Sequence, residues 1–437
     1  MRESTLKSSV LLRLLIIGAL AIVLLIPTVF VGLLVSDRQA SRAFAVKDVT
    51  EKWGTTQTIV GPVLTVPVTR QVKDKEGEVH TYTSLVRILP ELLDVKTEVT
   101  PEIRRRGIYR VILYSAQVTI QAEYSSILKE IQSLAKGDIR WEDATLALGV
   151  SDLKGISNIH SMTWDARAVS PEPGTRSGSL LPSGLTVRPA LVVDKDSYRF
   201  TAQFDLRGSE EFRVVPTGRE TRMAAKASWG DPSFVGDFLP ERRDIGADSF
   251  SATWRVLDFN RNIPQSWVGD EPALTSSSFG VKLLLPVDEY QKNFRALKYA
   301  IMFIALTFLA FFVLDILAKS PFHPVQYTLV GFGLVLFYVL LLSISEYLPF
   351  DVSYWIASVA ISLLVTLYTR GATGRFSAAA IIGGCLLVLY GFLFVLLQLE
   401  DYALLLGSIG LFAVLALVMY LTRRIDWYGM GNSGRSA

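Results

Sequence analysis

Uncharged apolar runs of bilayer-spanning length occur near both ends of the chain. A helix that crosses about 30 Å of hydrocarbon needs about 20 residues, and six runs approach this length. Between the first and second runs, residues 36–298 are too polar and too charged to lie within a bilayer. The pattern therefore predicts one membrane helix, one large extramembrane domain and five further helices. The six runs are Leu14–Val35, Tyr299–Ala318, Tyr327–Ile344, Val352–Tyr368, Phe376–Leu397 and Tyr402–Leu421.

The polar segment alternates apolar and polar residues as half-buried strands do. In IYRVILYSAQVTIQAEY, residues 108–124, apolar side chains from Val118 to Tyr124 alternate with threonine, glutamine and glutamate. GPVLTVPVTRQV, YRFTAQFDL, SFSATWRVLDF and FGVKLLLPV are similar, and only SSILKEIQSLA and residues 43–52 favour a helix. We therefore expect an α-helical membrane protein with a mainly β extracytoplasmic domain, built as an antiparallel sandwich or as paired sheets.

Lysine and arginine in the short connections predict the orientation, because such loops resist translocation. Basic residues precede the first run and follow the second, fourth and sixth, whereas SEYLPFD and QLED carry acids and no lysine or arginine. Both termini are therefore expected in the cytoplasm and the large domain in the periplasm. The predicted parts are the N-terminus with the first helix (1–35), the periplasmic domain (36–298), five helices (299–421) and a cytoplasmic tail (422–437).

An alternative reading treats the first apolar run as a cleaved signal peptide. AFA at residues 43–45 resembles a small-residue cleavage site. The run Leu14–Val35 is longer than the roughly 7 to 15 apolar residues of a signal core, and AFA lies well beyond its end. A permanent membrane anchor is therefore favoured.

Composition narrows the possible functions. Half of the residues are hydrophobic and 19% are charged, which is typical of a membrane protein, and a net charge of +3 offers no electrostatic surface for nucleic acid. The single cysteine, Cys385, excludes an intramolecular disulfide, and the three histidines occur in no metal-binding spacing. Neither a phosphate-cradling P-loop nor a G-x-S-x-G elbow is present. No cofactor is expected.

The stretch SWGDPSFVGDFLPERRDIG, residues 228–246, gathers acids, arginines and aromatic residues in a Gly- and Pro-rich segment. Two of its carboxylates could supply a general acid and base, but their spacing fixes no separation between the carboxyl groups. The alternatives are a binding surface and a structured turn in which the aspartates bond to the backbone, the aromatics enter the core and Arg242 or Arg243 pairs with an acid. The candidate functional surface is Trp229, Asp231, Phe234, Asp237, Phe238, Glu241, Arg242 and Arg243.

Two further features are candidates for function. Asp315 lies in the apolar stretch FFVLDILAKS, where an ionisable group is costly and often functional. Lys319 is four residues further on, so an intrahelical ion pair is an alternative to a transport role. Arg104, Arg105 and Arg106 form a basic run that could meet an anionic lipid or glycan, although a solvated turn is the favoured interpretation.

Several long blocks of this chain resemble the CreD family of bacterial inner-membrane proteins. They are IVGPVLTVPVT, WGDPSFVGDFLPERRDI, the region KYAIMFIALTFLAFFVLDILAKSPFHPVQYTLVGFGLVLFYVLLLSISEY and the final DYALLLGSIGLFAVLALVMYLTRRIDWY. The resemblance implies a multi-pass protein of the Gram-negative inner membrane that supports cell-envelope integrity. It also implies a part in responses to toxins and β-lactam antibiotics under two-component control, and it carries over no catalytic or ligand-binding residue.

Together these observations favour a protein that is not an enzyme. Its β domain would act as a scaffold or sensor for an envelope lipid, glycan or protein, with the membrane as its other partner. A lipid or small-molecule transporter or flippase, with Asp315 lining a path through the five helices, is the alternative.

Overall fold

A computed structural model describes residues 10–73, 78–175, 181–192, 195, 197–269, 274, 277–285, 289–318, 322–399 and 402–423. The chain divides into two compact units. The helical unit combines Met1–Arg42 with Val287–Ala437, and the β unit comprises Ala43–Pro286.

The helical unit follows the apolar runs of the sequence. Within the described residues, five helical segments are long and apolar enough to cross a membrane, the first of them running from Leu14 to Trp53. A bent pair, Tyr290–Lys298 with Ala300–Ile316, gives a sixth span if it is counted as one. The prediction of one helix, a β-rich region and a C-terminal group of helices is confirmed. The helices are α1 (Val10–Val23), α2 (Leu25–Trp53), α3 (Ile127–Leu134), α4 (Glu289–Lys298), α5 (Ala300–Ala318), α6 (Pro324–Ser345), α7 (Phe350–Thr373), α8 (Phe376–Gln398) and α9 (Ala403–Thr422).

Aromatic rings form the centre of the helical unit. Tyr390 of α8 lies with its ring centroid 4.4 Å from that of Phe303 on α5 and 4.7 Å from that of Phe337 on α6. The hydroxyl of Tyr354 on α7 donates a hydrogen bond to the carbonyl of Tyr390 over 2.7 Å. Helices α5 to α8 therefore share one core of interlocking aromatic side chains, whereas α9 buries none of its side chains within the described part of this unit.

The β unit contains two sheets. Among the described residues, the larger has ten strands, with the main order β14-β18-β12-β1-β6-β10-β9, and the smaller has eight, in the order β15-β16-β13-β3-β4-β11-β7-β8. The strands are β1 (Gln57–Lys73), β2 (Val79–Ile88), β3 (Leu92–Arg106), β4 (Tyr109–Ser125), β5 (Asp138–Ile139), β6 (Thr145–Val150), β7 (Ile156–Trp164), β8 (Arg167–Ala168), β9 (Glu172–Pro173), β10 (Gly184–Val187), β11 (Ser197–Ser209), β12 (Glu211–Val214), β13 (Glu220–Ala227), β14 (Pro232–Gly236), β15 (Arg242–Ile245), β16 (Phe250–Leu257), β17 (Ser266–Val268) and β18 (Phe279–Leu283).

One hydrophobic core lies between the two sheets. Leu64 and Val66 of the larger sheet and Val95 and Ile120 of the smaller one are fully buried members of the same cluster. Along β16, buried and exposed residues alternate without interruption, as a strand with one face on the core requires. The predicted mainly β unit is therefore confirmed as a sandwich of two sheets.

Two strand pairings differ from the purely antiparallel arrangement expected from the sequence. β1 pairs with β12 in parallel, and β13 pairs with β3 in parallel. Each pair joins strands that are far apart in the chain, and alternation within a strand does not reveal the direction of a distant partner. The two helices predicted within this region appear as α3 and as the C-terminal part of α2.

Candidate functional site

The segment 228–246 carries the chain from one sheet of the β unit to the other. Its first half forms β14, the end strand of the larger sheet, which pairs antiparallel with β18. Its second half forms β15, the end strand of the smaller sheet, which pairs antiparallel with β16. The segment therefore closes one side of the sandwich, and the strands at both of its ends are edge strands.

The aromatic residues of this segment fill the gap between the two sheet edges. The ring of Phe234 lies 5.7 Å from that of Trp254, and the ring of Phe238 lies 5.8 Å from that of Phe279, both in edge-to-face geometry. Trp229 packs against the same core and donates its Nε1 hydrogen to the carbonyl of Leu284 over 3.1 Å. These three side chains are half-buried, and they hold the crossing segment onto the core.

Two glycines explain why the backbone can close in this way. Gly236 has a φ of +96°, in the left-handed region that favours glycine. A Cβ at Gly236 would meet the carbonyl of Ser278, and one at Gly230 would meet the carbonyl of Ala247. The WGDPSFVG part of the segment thus has the glycines that a tight sheet edge requires.

The charged candidates are arranged differently from what a structured turn suggests. Asp231, Asp237, Glu241, Arg242 and Arg243 are all exposed, and their side chains make no ion pair or hydrogen bond within the described residues. Their backbones do the bonding instead. The amide of Asp237 donates to Ser278, the amide of Glu241 donates to Thr253, and the carbonyl of Asp231 accepts from Leu284.

The exposure of these carboxylates is an argument against the acid–base interpretation of the segment. A pair of carboxylates that acts as general acid and base must be held at a defined separation, usually by neighbouring hydrogen bonds or by burial. Asp231, Asp237 and Glu241 have neither constraint. Among the described residues no group of three or more His, Cys, Asp or Glu side chains is arranged to hold a metal ion. The arrangement suits a charged contact surface better than a reaction centre.

Two depressions in the β unit were not indicated by the sequence. One, of about 390 Å³, adjoins the segment and is lined by Asp244, Ser249, Glu98 and Lys226 among others. The other, of about 350 Å³, lies beside Glu211 and is lined largely by serine, threonine and small apolar residues. Each combines residues that are distant in the chain, so only the strand register brings them together.

Glu211 is the centre of an ion cluster at the second depression. Its carboxylate lies 2.6 Å from Arg213 and 3.0 Å from Lys282, and its side chain is only 15% exposed. Burial raises the pKa of Glu211, but the hydrogen bonds from Lys282 and Arg213 and their positive charges lower this pKa overall. The sequence shows Glu211 and Arg213 two residues apart on one strand, but it does not show that Lys282 of β18 lies beside them.

Asp315 lies near the C-terminal end of α5 in the helical unit and is 5% exposed. The proposed partner Lys319 lies outside the described residues, so the intrahelical ion pair stays a prediction. Asp315 is in a different compact unit from the 228–246 segment. The candidates from the sequence therefore belong to two different compact units.

A family model and a relative from Escherichia coli identify the family of this chain. A solved structure of an M1 zinc metallopeptidase from Deinococcus radiodurans is 9% identical, over 76% of this chain and 93% of that chain, but its TM-score of 0.19 carries no information about fold or chemistry. The family model described as inner membrane protein CreD matches residues 9–428. "Inner membrane protein CreD" of Escherichia coli K12 is 32% identical over 431 residues, 97% of this chain and 95% of its own length. The chain therefore belongs to the CreD family of multi-pass inner-membrane proteins.

Proposed function

We propose that this protein supports the integrity of the bacterial cell envelope and its response to antibiotics and toxins, as a non-enzymatic scaffold or sensor in the inner membrane. The support begins with the family match, which covers both the helical and the β unit. A role that uses the whole chain therefore fits better than one confined to a single unit.

The non-enzymatic part of the proposal rests on the structural role of segment 228–246. Phe234 and Phe238 and both glycines serve to close the sandwich, while Asp231, Asp237 and Glu241 project outward without any positioning partner in the described chain. A scaffold can present exposed charges on a rigid unit, because charges at the rim of an interface guide association without being fixed relative to one another. An acid–base catalyst needs those groups fixed relative to one another.

The proposal includes an orientation with both termini in the cytoplasm and residues 36–298 in the periplasm. Arg370 and Arg375 lie at the α7–α8 connection and Arg423 lies at the end of α9. The opposite helix ends carry Glu346 and Asp351. This distribution of charge supports a cytoplasmic position for the arginine-bearing ends.

Complementation tests the proposal. Escherichia coli lacking its own CreD protein would receive this protein, the variant Asp231→Asn/Asp237→Asn/Glu241→Gln, or Phe234→Ala, and envelope permeability and β-lactam survival would be measured. We expect the amide variant to keep at least half of the wild-type effect, because exposed charges at the rim of a contact surface change the rate of association more than the affinity, and each amide keeps the shape of its acid. Phe234→Ala should lose most of the effect together with the fold of the sheet edge.

The opposite pattern would contradict the proposal. An amide variant that is present at normal levels, melts at the wild-type temperature and has no activity would indicate catalysis by these acids. Single replacement of each residue would then show whether one carboxylate or a pair is responsible.

A second candidate, transport of a lipid or small molecule, rests on the burial of Asp315. An ionisable group that is 5% exposed in an apolar helix is costly to retain, and in membrane proteins such groups often mark substrate or ion paths. Asp315→Asn in proteoliposomes should abolish lipid or solute movement if this candidate is correct. Asp351→Asn, the same change at a more exposed aspartate, serves as the control. The scaffold proposal predicts that both variants complement normally.

A further inference from the structure

Helix α4 is held against the ends of α6 and α8 within the helical unit. The side-chain amide of Asn293 donates a hydrogen bond to the hydroxyl of Ser345, the last residue of α6, over 2.8 Å. The guanidinium group of Arg295 donates to the carbonyl of Leu399, directly after α8, over 3.3 Å. These contacts place α4 at the level where two apolar helices end.

This level is one edge of the apolar part of the helical unit. Glu346 follows α6 directly and Asp351 lies in the first turn of α7, whereas residues 300–314 of α5 are uncharged. Charged side chains flank a transmembrane helix where it leaves the hydrocarbon for the headgroup layer. The chain bends by 47° between α4 and α5. The polar helix α4 therefore belongs to the headgroup layer and the apolar helix α5 to the hydrocarbon.

Helix α4 has one buried and one exposed side. Asn293 and Ala296 are buried. Phe294 is 38% exposed, and Lys298 is also exposed, with its ammonium group 5.3 Å from the centroid of the Phe294 ring. Ile301, at the start of α5, is 40% exposed. An ammonium group, an aromatic ring and an aliphatic side chain thus lie exposed where the headgroup layer meets the hydrocarbon.

The cations of α4 have no acid on their own helix to balance them. Residues 290–314 contain two lysines, one arginine and no aspartate or glutamate. Lys292 has the carboxylate of Asp351 at 3.8 Å, and Arg295 has the carbonyl after α8. Lys298 makes no ion pair with any residue that the structure describes. Its charge is therefore unbalanced by protein groups at a level where lipid phosphates are abundant.

Lys298 differs in this respect from the arginine run of residues 104–106 in the β unit. Arg106 forms an ion pair with Asp48 at 2.7 Å. Arg104 pairs with the neighbouring Glu102 and stacks 4.1 Å from the ring centroid of Trp53. Two of the three arginines are thus used in contacts inside the β unit, at the end of β3.

We propose that Lys298 binds the phosphate of an anionic phospholipid, with the ring of Phe294 among the headgroups and Ile301 against the start of the acyl chains. A lysine ammonium group binds phosphate as a compact point charge, and aromatic rings are favoured at the membrane interface. A free phosphate would leave the exposed ring and the isoleucine in water, whereas a lipid covers them. This site lies within the helical unit and goes beyond the envelope role proposed above.

Photo-crosslinking of the full-length protein in nanodiscs tests this site. Phe294→p-benzoylphenylalanine keeps an aromatic side chain beside Lys298 and attaches to its neighbours on illumination. The discs would contain equal amounts of phosphatidylglycerol and phosphatidylcholine, and mass spectrometry would identify the attached lipid. We expect about fivefold more adducts with phosphatidylglycerol than with phosphatidylcholine, because one cation attracts the anionic headgroup. The same probe at Leu336, which is 44% exposed in the middle of α6, should show no preference.

Charge variants identify the group responsible. Lys298→Gln should reduce the preference at residue 294 to none, while Lys298→Arg should keep at least half of it, because a cation remains. Arg423→Gln is the matched control. Arg423 lies at the end of α9, also exposed and 4.1 Å from an aromatic ring, that of Tyr420. Its replacement should leave the preference at residue 294 unchanged.

Several results would overturn the proposal. One is equal numbers of adducts with the two lipids in the wild type, and another is an unchanged preference in Lys298→Gln. Attachment of the probe mainly to the protein's own chain would show that protein covers this face. Loss of the preference on addition of millimolar inorganic phosphate would assign Lys298 to a free anion.

Thermal stability distinguishes loss of binding from loss of fold. In discs of phosphatidylcholine alone, Lys298→Gln should melt at the wild-type temperature, so that its lost preference reports binding. If it melts several degrees lower, Lys298→Arg decides between the two roles. Loss of the preference in this variant, which keeps the charge, would assign Lys298 to the fold and overturn the proposal.

Discussion

The ionisation of Glu211 contributes to the stability of the β unit. Its carboxylate is shielded from solvent and bonded by Arg213 and Lys282. A carboxyl group whose pKa is lower in the folded chain than in the unfolded chain stabilises the fold above its unfolded pKa. This contribution disappears as the pH falls through the lowered pKa of the folded state.

We predict that Glu211→Gln lowers the free energy of unfolding by about 1–2 kcal/mol at pH 7. The difference from wild type should shrink as the pH falls through the acidic range, because the wild-type carboxylate then becomes protonated. Denaturant unfolding of the purified protein, followed by tryptophan fluorescence at several pH values, measures this. Glu142→Gln is the control, since that side chain is 79% exposed and 3.7 Å from its arginine. If Glu211→Gln lowers the free energy of unfolding by the same amount at every pH, the stabilisation does not come from the ionised carboxylate of Glu211.

Replacement of Phe234 tests the structural role of the 228–246 segment. We predict that Phe234→Ala destabilises the β unit by about 2–3 kcal/mol, because the variant loses packing against Trp254 and Phe250 and leaves a cavity. Leu239→Ala, in the same segment but 75% exposed, should change stability by less than about 0.5 kcal/mol. Thermal unfolding of both variants gives the comparison. Equal effects would show that the aromatic residues do not hold the segment.

The sequence indicated which residues of this segment enter the core, but not which groups form its hydrogen bonds. Aromatics beside acids predicted core packing for Trp229, Phe234 and Phe238, and the structure places them there. The expected side-chain to backbone bonds of Asp231 and Asp237 are replaced by backbone bonds to Leu284 and Ser278, the residues that flank β18. Such bonds depend on strand register, which local sequence does not determine at a sheet edge.

Helices α7 and α8 approach closely at one glycine, and this contact gives a direct test of helix packing. A Cβ at Gly383 would lie 2.5 Å from Oγ1 of Thr366, which itself donates to the carbonyl of Ser362. A Cβ at the next residue, Gly384, would meet nothing within 4 Å. Small residues at helix contacts allow this approach in membrane proteins.

We predict that Gly383→Ala lowers stability by about 1–2 kcal/mol, because Thr366 must move and weaken its hydrogen bond. Gly384→Ala should be neutral or slightly stabilising, since alanine favours the helix and no neighbour is displaced. Thermal unfolding in one detergent provides the measurement. A similar loss for both variants would point to helix propensity or backbone flexibility instead of the α7–α8 contact.

Sequence patterns predicted the helical elements well because an apolar run of bilayer length has few alternative structures. Even the weakest run, at residues 352–368, lies within the 24-residue helix Phe350–Thr373. The break before Ala300 was not foreseen, since the residues around it contain neither proline nor glycine, and the bend of 47° follows a change from polar to apolar sequence. In the β unit, strands were recognisable individually, whereas the parallel pairs depend on contacts between distant segments.

The protein combines a helical membrane unit with a β sandwich whose edges are closed by one glycine- and aromatic-rich segment. We propose that this sandwich faces the periplasm and presents its charged surface to the envelope. The distribution of arginines at the helix ends supports the claim. The claim can be tested without knowing the partner.

Labelling with a membrane-impermeant maleimide is the most direct measurement. In a Cys385→Ser background, Leu239→Cys would place a thiol at an exposed position of the crossing segment, and Ala372→Cys would place one at the exposed α7–α8 end. In cells with a permeabilised outer membrane and an intact inner membrane, we predict labelling at 239 and none at 372 until the cells are lysed. Labelling at 372, with protection of 239 until lysis, would contradict the periplasmic placement.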